Sequence, residues 1–456
     1  MASTPNDHDH DSAEQSIVMP IDRMLEPVKL FAQHKLAGAG LLLLATLIAL
    51  VWANSPWAEV YHHALHADVT VSMGGIGLTK SVHHLINDGL MGVFFFLVGL
   101  EIKRELLVGE LSSARKASLP ALAAIGGMIL PAALYVAINP EPPLRDGWGI
   151  PMATDIAFAL GVLAVLGTRA PLGLKVMLTA LAIVDDIGAV LVIAVFYTDQ
   201  IATASLVIGL VGVVLSLLMA RAGVRNGLAY FIVGFIVWLA FLKSGVHATI
   251  AALLMAFTIP ARTRIYGNRL VRRLEGTLHH LHEIGAPSDA GLNSHDQQHV
   301  LDEVASIRNA ASAPLLDLEH ALAPVVTFLV LPIFALANAG VSLEGVGFDA
   351  LAGGIALGIM VGLVIGKTVG IFAFTWLAVK LGLADLPAGV RWGHVVGIGL
   401  LGGVGFTMAL FIAGLAFSSQ ADLDAAKLGI LVASAIAGIV GLLVLRASSP
   451  ADADSG

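Results

Sequence analysis

The chain has 456 residues, of which 57% are hydrophobic and only 13% charged, and its mean hydropathy is +0.86. A soluble domain has about 25% charged residues, so this composition indicates a polytopic membrane protein. The absence of cysteine from the sequence excludes disulfides, thiolate metal sites and iron–sulfur clusters. The net charge of −8 comes mostly from tails and loops and says little about a partner; we expect no nucleic-acid partner.

The polar segment 1–35 lacks a basic region followed by an apolar core, so we expect a mostly disordered tail without a cleavable secretory signal. Residues 36–447 are predicted to form one all-α membrane domain, and residues 448–456 a second disordered tail. Apolar runs of about 17–25 residues mark crossing helices. Twelve such runs are present, near residues 37–53, 83–101, 117–138, 148–168, 174–198, 203–220, 226–242, 246–260, 321–341, 353–379, 393–417 and 424–446.

The distribution of Lys and Arg predicts the orientation. With both termini cytoplasmic, the outer side carries only Lys80, Arg145, Lys243 and Lys427, and Lys367 lies inside a span. All other basic residues then fall on the cytoplasmic side. An odd number of spans would break the alternation of basic inner loops with outer loops poor in Lys and Arg, so the positive-inside rule supports twelve spans.

Two extramembrane pieces interrupt the spans. Residues 67–80 contain DVTVSMGGIGLTK, which alternates apolar and polar residues around Gly74-Gly75. This pattern predicts an outer β-hairpin, with a loose loop as the alternative. Because an isolated hairpin is marginally stable in water, we expect it to pair, for example with a second copy of itself. Residues 261–314 form a long inner loop, basic and then His-rich, predicted to be flexible and partly helical around Asn268–Glu283.

Span 4 reads GIPMATDIAFALGVL, with Thr154 and Asp155 near mid-membrane, after Pro151. Thr-Asp is a helix-start signal at a depth where a helix should already be running, which predicts a break. A break would free carbonyl and amide groups to coordinate an ion, and an acid could offset the dipoles of the half-helix ends. The alternative is an intact helix with Asp155 facing a polar cavity.

Span 5 places two adjacent aspartates, Asp185 and Asp186, in the middle of LTALAIVDDIGAVLVIAVFYT. A charge at that depth costs roughly 2.5–3.5 kcal/mol on insertion scales, and two neighbouring like charges cannot both ionise cheaply. The pair is therefore a candidate site at which a proton and a metal cation compete.

Span 10 carries Lys367 at similar depth, where a lone lysine would lose its proton or need a carboxylate partner. Asp155, Asp185 and Asp186 are the acids available in the sequence at that depth, so we expect Lys367 to pair with one of them. The alternative is a salt bridge with a purely structural role.

Span 11 contains GLLGGVGFTMALF, and Gly402, Gly403 and Gly405 are candidates for broken-helix backbone. Clustered glycines cost helix stability and suit either unwound backbone or close helix packing. Spans 4 and 11 are seven apart, so they cross the membrane in opposite directions. This predicts inverted repeats that pair spans 3–5 with spans 10–12 and cross at mid-membrane.

Six further residues are weaker candidates for an ion funnel or for pH sensing. Interfacial acids are usually just solvated, and a histidine, although it titrates near neutral pH, is often inert. The six residues are Asp88, Glu101, Glu105, His247, Glu319 and His320.

Together these runs resemble the NhaA-type sodium–proton antiporters of bacterial inner membranes. The similarity covers about Leu36 to Leu445 and is carried by INDGLMGVFFFLVGLEIKREL, MATDIAFALGVL, ALAIVDDIGAV, SGVHATIA, LPIFALANAGVSL, the GK of span 10 and GGVGFTM. The resemblance implies twelve helices and crossed broken helices 4 and 11, with the inverted repeats that are a known property of that family. It also implies a homodimer joined through the outer β-hairpin.

The resemblance also implies roles for single residues. It places the ion-binding pair on Asp185 and Asp186, and on Lys367 the lysine that pairs with the first of them. It places the crossing point on Thr154 and Asp155, the funnel acids on Glu101 and Glu105, and a pH-response acid on Glu319 beside His320. Ala323 and Asp317 depart from the histidine and the basic residue that are common in the family. These departures bear on the pH threshold rather than on transport.

These features predict a secondary antiporter, not an enzyme, that extrudes cytoplasmic Na⁺ or Li⁺ in exchange for external H⁺ and needs no cofactor. The resemblance favours two protons per Na⁺ and a role in Na⁺ and pH homeostasis. One alternative is a Na⁺-coupled symporter of organic solutes on a related fold, which would need more polar groups for its solute. A cation channel would need a continuous hydrated pore, and a scaffold would not keep buried charges at such cost.

Overall fold

The computed structural model describes residues 36–73, 76–198, 201–284, 295–342 and 351–449. The predicted tail 1–35 and residues 450–456 of the predicted tail 448–456 lie outside the described residues. Within the described ranges the chain is mostly helical, as the composition predicts.

The helices follow one another with short connections. In chain order they are α1 (Ala37–Ala53), α2 (Ala58–His66), α3 (Val82–Val108), α4 (Ala114–Ile138), a 3₁₀ segment (Leu144–Met152), α5 (Ile156–Ala164), a 3₁₀ turn (Gly167–Arg169), α6 (Leu172–Phe196), α7 (Thr203–Arg221), α8 (Gly227–Leu242), α9 (Ala248–Thr258), α10 (Asn268–Ile284), α11 (His295–Ala311), α12 (Pro314–Asn338), α13 (Gly354–Lys380), α14 (Trp392–Gly402), α15 (Phe406–Ala416) and α16 (Gln420–Ser448).

Seven helices of the described chain are long and apolar enough to cross a membrane: α3, α4, α6, α7, α12, α13 and α16. Three bent pairs raise this number to ten if each pair is one span. These pairs are α1 with α2, the 3₁₀ segment with α5, and α14 with α15. The helices α8 and α9 are apolar but shorter. The helix α12 begins before the predicted boundary at 321, because a proline at its first position and polar residues extend it beyond the apolar run.

Two strands, β1 (Asp68–Met73) and β2 (Ile76–Ser81), pair antiparallel with Asp68 opposite Ser81 and Met73 opposite Ile76. The turn residues Gly74 and Gly75 lie outside the described residues. The strands lead directly into α3, whose first turn is capped by Ser81, because its Oγ accepts a hydrogen bond from the His84 amide at 3.2 Å. We call this end of the molecule the hairpin side.

The connection between α9 and α12 differs from the sequence prediction. The expected helix near Asn268–Glu283 is present as α10, but a second helix, α11, follows it in a segment predicted to be flexible. Its sequence is polar, so composition favours a loop. The helix nevertheless buries Val300 and Ile307, which are seven residues apart on one face. We call the end of the molecule that carries α10 and α11 the loop side.

The core is built around a close contact between α4 and α13. A side chain added at Gly126 would meet the carbonyl oxygen of Gly370, and one added at Gly370 would meet that of Gly126. Gly366 similarly lies against Pro131. Small residues let helix backbones approach closely where no hydrophobic effect drives association, and this contact fixes the depth of the adjacent Lys367.

Gly370→Ala is therefore expected to lower the thermal midpoint of unfolding in detergent, because overpacking a close contact costs about 1–3 kcal/mol. The matched control is Gly414→Ala, where no atom lies within 4 Å of an added methyl group and alanine favours the helix. Equal midpoints for the two variants would contradict the tight contact.

Candidate ion-binding site

Two helices are interrupted at the centre of the protein. The 3₁₀ segment ends at Met152, α5 begins at Ile156, and their axes differ by 43°. The second interruption separates α14 from α15 between Gly402 and Phe406, also with a bend of 43°. The first interruption falls at the Thr-Asp start signal, where Asp155 has the extended backbone of an N-cap.

Hydrogen bonds join the two interruptions directly. The Thr154 hydroxyl donates to the Gly402 carbonyl at 2.7 Å, and the Asp155 amide donates to the Val404 carbonyl at 2.7 Å. The Asp155 Oδ2 atom accepts from both the amide and the hydroxyl of Thr407, at 3.1 and 2.5 Å. These bonds satisfy backbone groups that the breaks leave without helical partners.

A single carboxylate therefore caps two half-helices. The Asp155 Oδ1 atom accepts a hydrogen bond from the Phe158 amide of α5 at 2.9 Å, while Oδ2 accepts one from the Thr407 amide at the start of α15. Negative charge at two helix N-termini is favourable because both present unpaired amides and positive dipole ends. The first amide of α15, on Phe406, is satisfied separately by the Ser434 hydroxyl of α16 at 3.1 Å.

Asp155→Ala is expected to destabilise the protein by at least about 2 kcal/mol, because it removes one N-cap and leaves buried donors without an acceptor. The measurement is the thermal midpoint in detergent, compared with Asp385→Ala at an exposed loop position. If both variants have the same thermal midpoint as the wild type, Asp155 does not stabilise the two half-helices.

The glycines of span 11 serve packing rather than unusual backbone angles. Gly403 and Gly405 have negative φ values of −73° and −83° that any residue could adopt. A side chain at Gly403 would meet the Leu363 carbonyl of α13, and one at Gly399 would meet the Thr368 backbone. The sequence left two interpretations of this glycine cluster, unwound backbone and close helix packing. The structure shows close packing beside a helix interruption.

The two aspartates and the lysine meet beside these interruptions. Asp185 and Asp186 lie in the middle of α6 and are 1% and 2% exposed, and Lys367 of α13 is fully buried. The Lys367 ammonium lies 2.5 Å from Asp185 Oδ2 and also donates to the Met152 carbonyl at the end of the 3₁₀ segment. Membrane depth alone left the partner of the lysine open among three acids, and the contact falls on Asp185, the partner that the family resemblance implies.

The carboxylates of the pair are only partly satisfied by the residues that the structure describes. Asp185 Oδ1 is buried without a hydrogen bond, and Asp186 makes no hydrogen bond or salt bridge within the part of the chain that the structure describes. Buried polar atoms nearly always have hydrogen-bond partners, so this arrangement is suited to reversible binding of a proton or a cation. No cluster of three or more His, Cys, Asp or Glu suited to a metal is found among the described residues. A cation here would therefore also need carbonyl, hydroxyl or water oxygens, as hard cations accept.

On the loop side, three of the weaker candidates lie together. Arg104 Nη1 contacts Glu105 at 2.8 Å, and Arg104 Nε donates to both carboxylate oxygens of Glu319 at 3.0 and 3.1 Å. Glu101 is one turn away on α3, and His320 is exposed. The sequence analysis assigned no role to Arg104; its place beside Glu105 and one turn from Glu101 was the available signal.

On the hairpin side, Asp88 and His247 line one cavity of about 270 Å³. The Asp88 carboxylate lies 2.9 Å from His84, and the His247 ring contacts the Tyr197 carbonyl. Neither forms a hydrogen bond with the Asp185–Asp186 pair, so the structure does not bring these two residues to the candidate ion site.

Apolar helices of membrane-crossing length, with charged groups buried at two interruptions, define a multi-pass membrane protein of the transporter class. Residues 29–445 match the family model described as Na+/H+ antiporter 1. The chain belongs to this family, which confirms the resemblance and shows that the chain is a transporter rather than an enzyme.

Several curated relatives cover nearly the whole chain. A protein named Na(+)/H(+) antiporter NhaA from Oleidesulfovibrio alaskensis is 47% identical and covers 94% of this chain and 95% of its own. One of the same name from Acidithiobacillus ferrooxidans is 49% identical, with 92% and 97% covered. Among solved structures, the sodium proton antiporter MjNhaP1 from Methanocaldococcus jannaschii shares 12% identity and a TM-score of 0.46, with 94% and 95% covered.

Proposed function

We propose that this member of the family extrudes cytoplasmic Na⁺ or Li⁺ in exchange for external H⁺ at one site formed by Asp185 and Asp186. The observation that carries the proposal is the pair itself: beside the Asp185–Lys367 contact, Asp185 Oδ1 is buried without a hydrogen bond, and the Asp186 carboxylate makes no hydrogen bond or salt bridge among the described residues. The names of the relatives support Na⁺/H⁺ exchange.

The proposed cycle uses competition between the two ions. With the site open to the cytoplasm and the carboxylates ionised, Na⁺ binds oxygens of Asp186, Asp185 and Thr154, and its charge weakens the attraction between Lys367 and Asp185. The site then opens outward, where protons bind the carboxylates and displace Na⁺. Coupling requires that the empty site with both carboxylates ionised does not change its access, because the Asp186 charge, which Lys367 does not pair with, is costly to move through the protein.

Two protons per Na⁺ would follow if both carboxylates, or one carboxylate and Lys367, change protonation in each cycle. One net charge then moves inward. At a potential on the order of 100 mV this supplies about 2.3 kcal/mol, which supports roughly a fifty-fold Na⁺ gradient. Extrusion would then continue at alkaline pH, where the chemical proton gradient is small.

We assign the chain twelve spans in a bacterial inner membrane, with both termini cytoplasmic. The three bent pairs each count as one span, and α8 and α9 complete the set. Spans 3–5 and 10–12 then form inverted repeats, a view supported by the α4–α13 contact and the two matching 43° bends. The strands β1 and β2 form a two-stranded sheet that is marginal alone, which supports a homodimer joined through this hairpin.

We further assign pH regulation to charged groups on the loop side and on the hairpin side of the protein. The Arg104 guanidinium contacts both Glu105 and Glu319, so these ion pairs link α3 to α12 and depend on the charge of the three side chains. Glu101 would guide cations toward Asp186 from this side. We include His320, Asp88 and His247 among the groups that would adjust the pH threshold.

The test is Na⁺-triggered proton efflux from acid-loaded proteoliposomes that contain a pH dye. Exchange without any organic solute supports the antiporter. Proton or Na⁺ uptake that depends on a solute would instead identify a symporter, and single-channel conductance would identify a channel.

Electrogenic exchange gives a further expected result in the same vesicles. With two protons leaving for each Na⁺ that enters, an interior-positive potential set with K⁺ and valinomycin should speed proton efflux, and an interior-negative potential should slow it. A tenfold K⁺ gradient is worth about 1.4 kcal/mol per charge, so initial rates should change several-fold. Initial rates of proton efflux that do not depend on the membrane potential would show electroneutral exchange.

A further inference from the structure

The helix α10 exposes an apolar face. Val271, Leu274 and Leu278 are 52%, 40% and 56% exposed. Their spacing of three and four residues places them on one side of the helix. Large apolar side chains in a contiguous exposed row mark an interaction site, and none of the elements described above covers this row.

The helices α10 and α11 form an antiparallel pair. The amides of Arg264 and Ile265, just before α10, both donate to the carbonyl of Ala310 near the end of α11, at 2.8 and 3.2 Å. The start of one helix is thus fixed beside the end of the other, and the two helices are in contact.

The helix α11 adds to the exposed apolar face. The buried residues Thr277, Val300 and Ile307 mark the inner sides of the pair, and Leu301 and Val304 are 47% and 43% exposed. On each helix, the exposed apolar residues lie about a quarter turn around the helix axis from the buried residues, and the turn has the same sense on both helices when each is followed from its N-terminus. In an antiparallel pair, rows displaced in this way lie on the same side, so they form one surface, which we call the apolar stripe (Val271, Leu274, Leu278, Leu301, Val304).

The pair is attached firmly to the ends of the membrane helices. The Leu315 amide at the start of α12 donates to the Pro260 carbonyl after α9, at 3.1 Å. Arg225, between α7 and α8, donates to the carbonyls of Ser312 and Arg262. These contacts keep the apolar stripe within reach of the bilayer that the spans themselves occupy.

Positive charge accompanies the apolar stripe. Between residues 262 and 273 the sequence contains no acid, and its five arginines are Arg262, Arg264, Arg269, Arg272 and Arg273. The last three are exposed on α10. Tyr266, just before the helix, is 77% exposed, and tyrosine is enriched at membrane–water interfaces.

We propose that the α10–α11 pair lies on the anionic headgroup surface of the bilayer, with the apolar stripe inserted at the acyl boundary. An amphipathic helix with arginines on its polar face and an apolar row opposite binds such a surface by burial of the apolar row and by electrostatic attraction between the arginines and anionic lipid. The occupant of the stripe is thus anionic lipid, rather than a second copy of the chain or residues 1–35. This assignment is independent of the proposed exchange mechanism.

The test uses the full chain in nanodiscs with one copy per disc. Because the sequence has no cysteine, Leu274→Cys supplies a single site for a nitroxide label, and His280→Cys on the polar face supplies the matched control. The discs contain either phosphatidylcholine alone or a mixture with phosphatidylglycerol. Collision rates of the label with oxygen, which enters lipid, and with a water-soluble nickel chelate then report its surroundings.

In discs with phosphatidylglycerol, the label at 274 should meet oxygen and be shielded from nickel, while the label at 280 meets nickel in both discs. Combining Arg269→Gln, Arg272→Gln and Arg273→Gln should lower the partition of the helix pair onto the surface by about fivefold for each arginine. Nickel access at 274 in both discs would overturn the proposal. Shielding that is equal in both discs and survives the arginine substitutions would also overturn it, because protein would then cover the stripe.

Discussion

Lys367→Ala should lower the stability of the protein by about 3–5 kcal/mol, the usual cost of removing one partner from a buried ion pair. The Lys367 ammonium is fully buried 2.5 Å from Asp185, and no other basic side chain forms a salt bridge with Asp185 among the described residues. The alanine variant leaves a buried carboxylate that must take up a proton or remain uncompensated. The thermal midpoint in detergent measures this loss.

The double variant Lys367→Ala with Asp185→Asn is the matched control. It removes both charges, so it should recover much of the stability that the single variant loses, as replacement of a whole buried pair is often tolerated. An unchanged midpoint for Lys367→Ala alone would show that the contact contributes little. The Asp185–Lys367 pair would then have no structural role.

Asp186→Asn should abolish Na⁺-dependent proton movement in proteoliposomes while leaving the fold intact. This carboxylate makes no hydrogen bond or salt bridge within the described ranges, so its removal breaks no contact and relieves the cost of a buried charge. The amide neither carries a proton through the cycle nor attracts Na⁺ with a full charge. The expected result is therefore loss of exchange with an equal or higher thermal midpoint.

The control for this variant is Asp385→Asn, which makes the same chemical change at an exposed loop position and should exchange at the wild-type rate. Persistent exchange in Asp186→Asn would remove this residue from the ion site. Loss of exchange together with a large fall in the midpoint would show a structural role in its place.

The sequence analysis found the charged residues because each violates the composition around it. Asp185, Asp186 and Lys367 stand in apolar runs where a charge is costly, and the Thr-Asp start signal at Asp155 stands where a helix should continue. These exceptions are visible in a single sequence, and the family resemblance that they carried is confirmed. Their roles in ion binding stay predictions.

The contacts among these residues could not be predicted in the same way. Thr407 and Ser434 are ordinary polar residues in a membrane helix, and only the crossing of the interrupted helices shows that they serve Asp155 and Phe406. The ion pair between Arg104 and Glu319 joins two residues that are far apart in sequence. The helix α11 was missed because it is stabilised by packing on α10 rather than by its own apolar pattern.

The shared cap at Asp155 constrains which parts of the protein can move. Separating α5 from α15 would strand amide donors and a carboxylate in a medium without water, at a cost of several kcal/mol for each group. The two interrupted helices therefore travel as one rigid cross-piece. Any sliding surface must lie outside it, where the cross-piece meets neighbours such as α3 and α12 through Phe95 and Phe334 against Phe411.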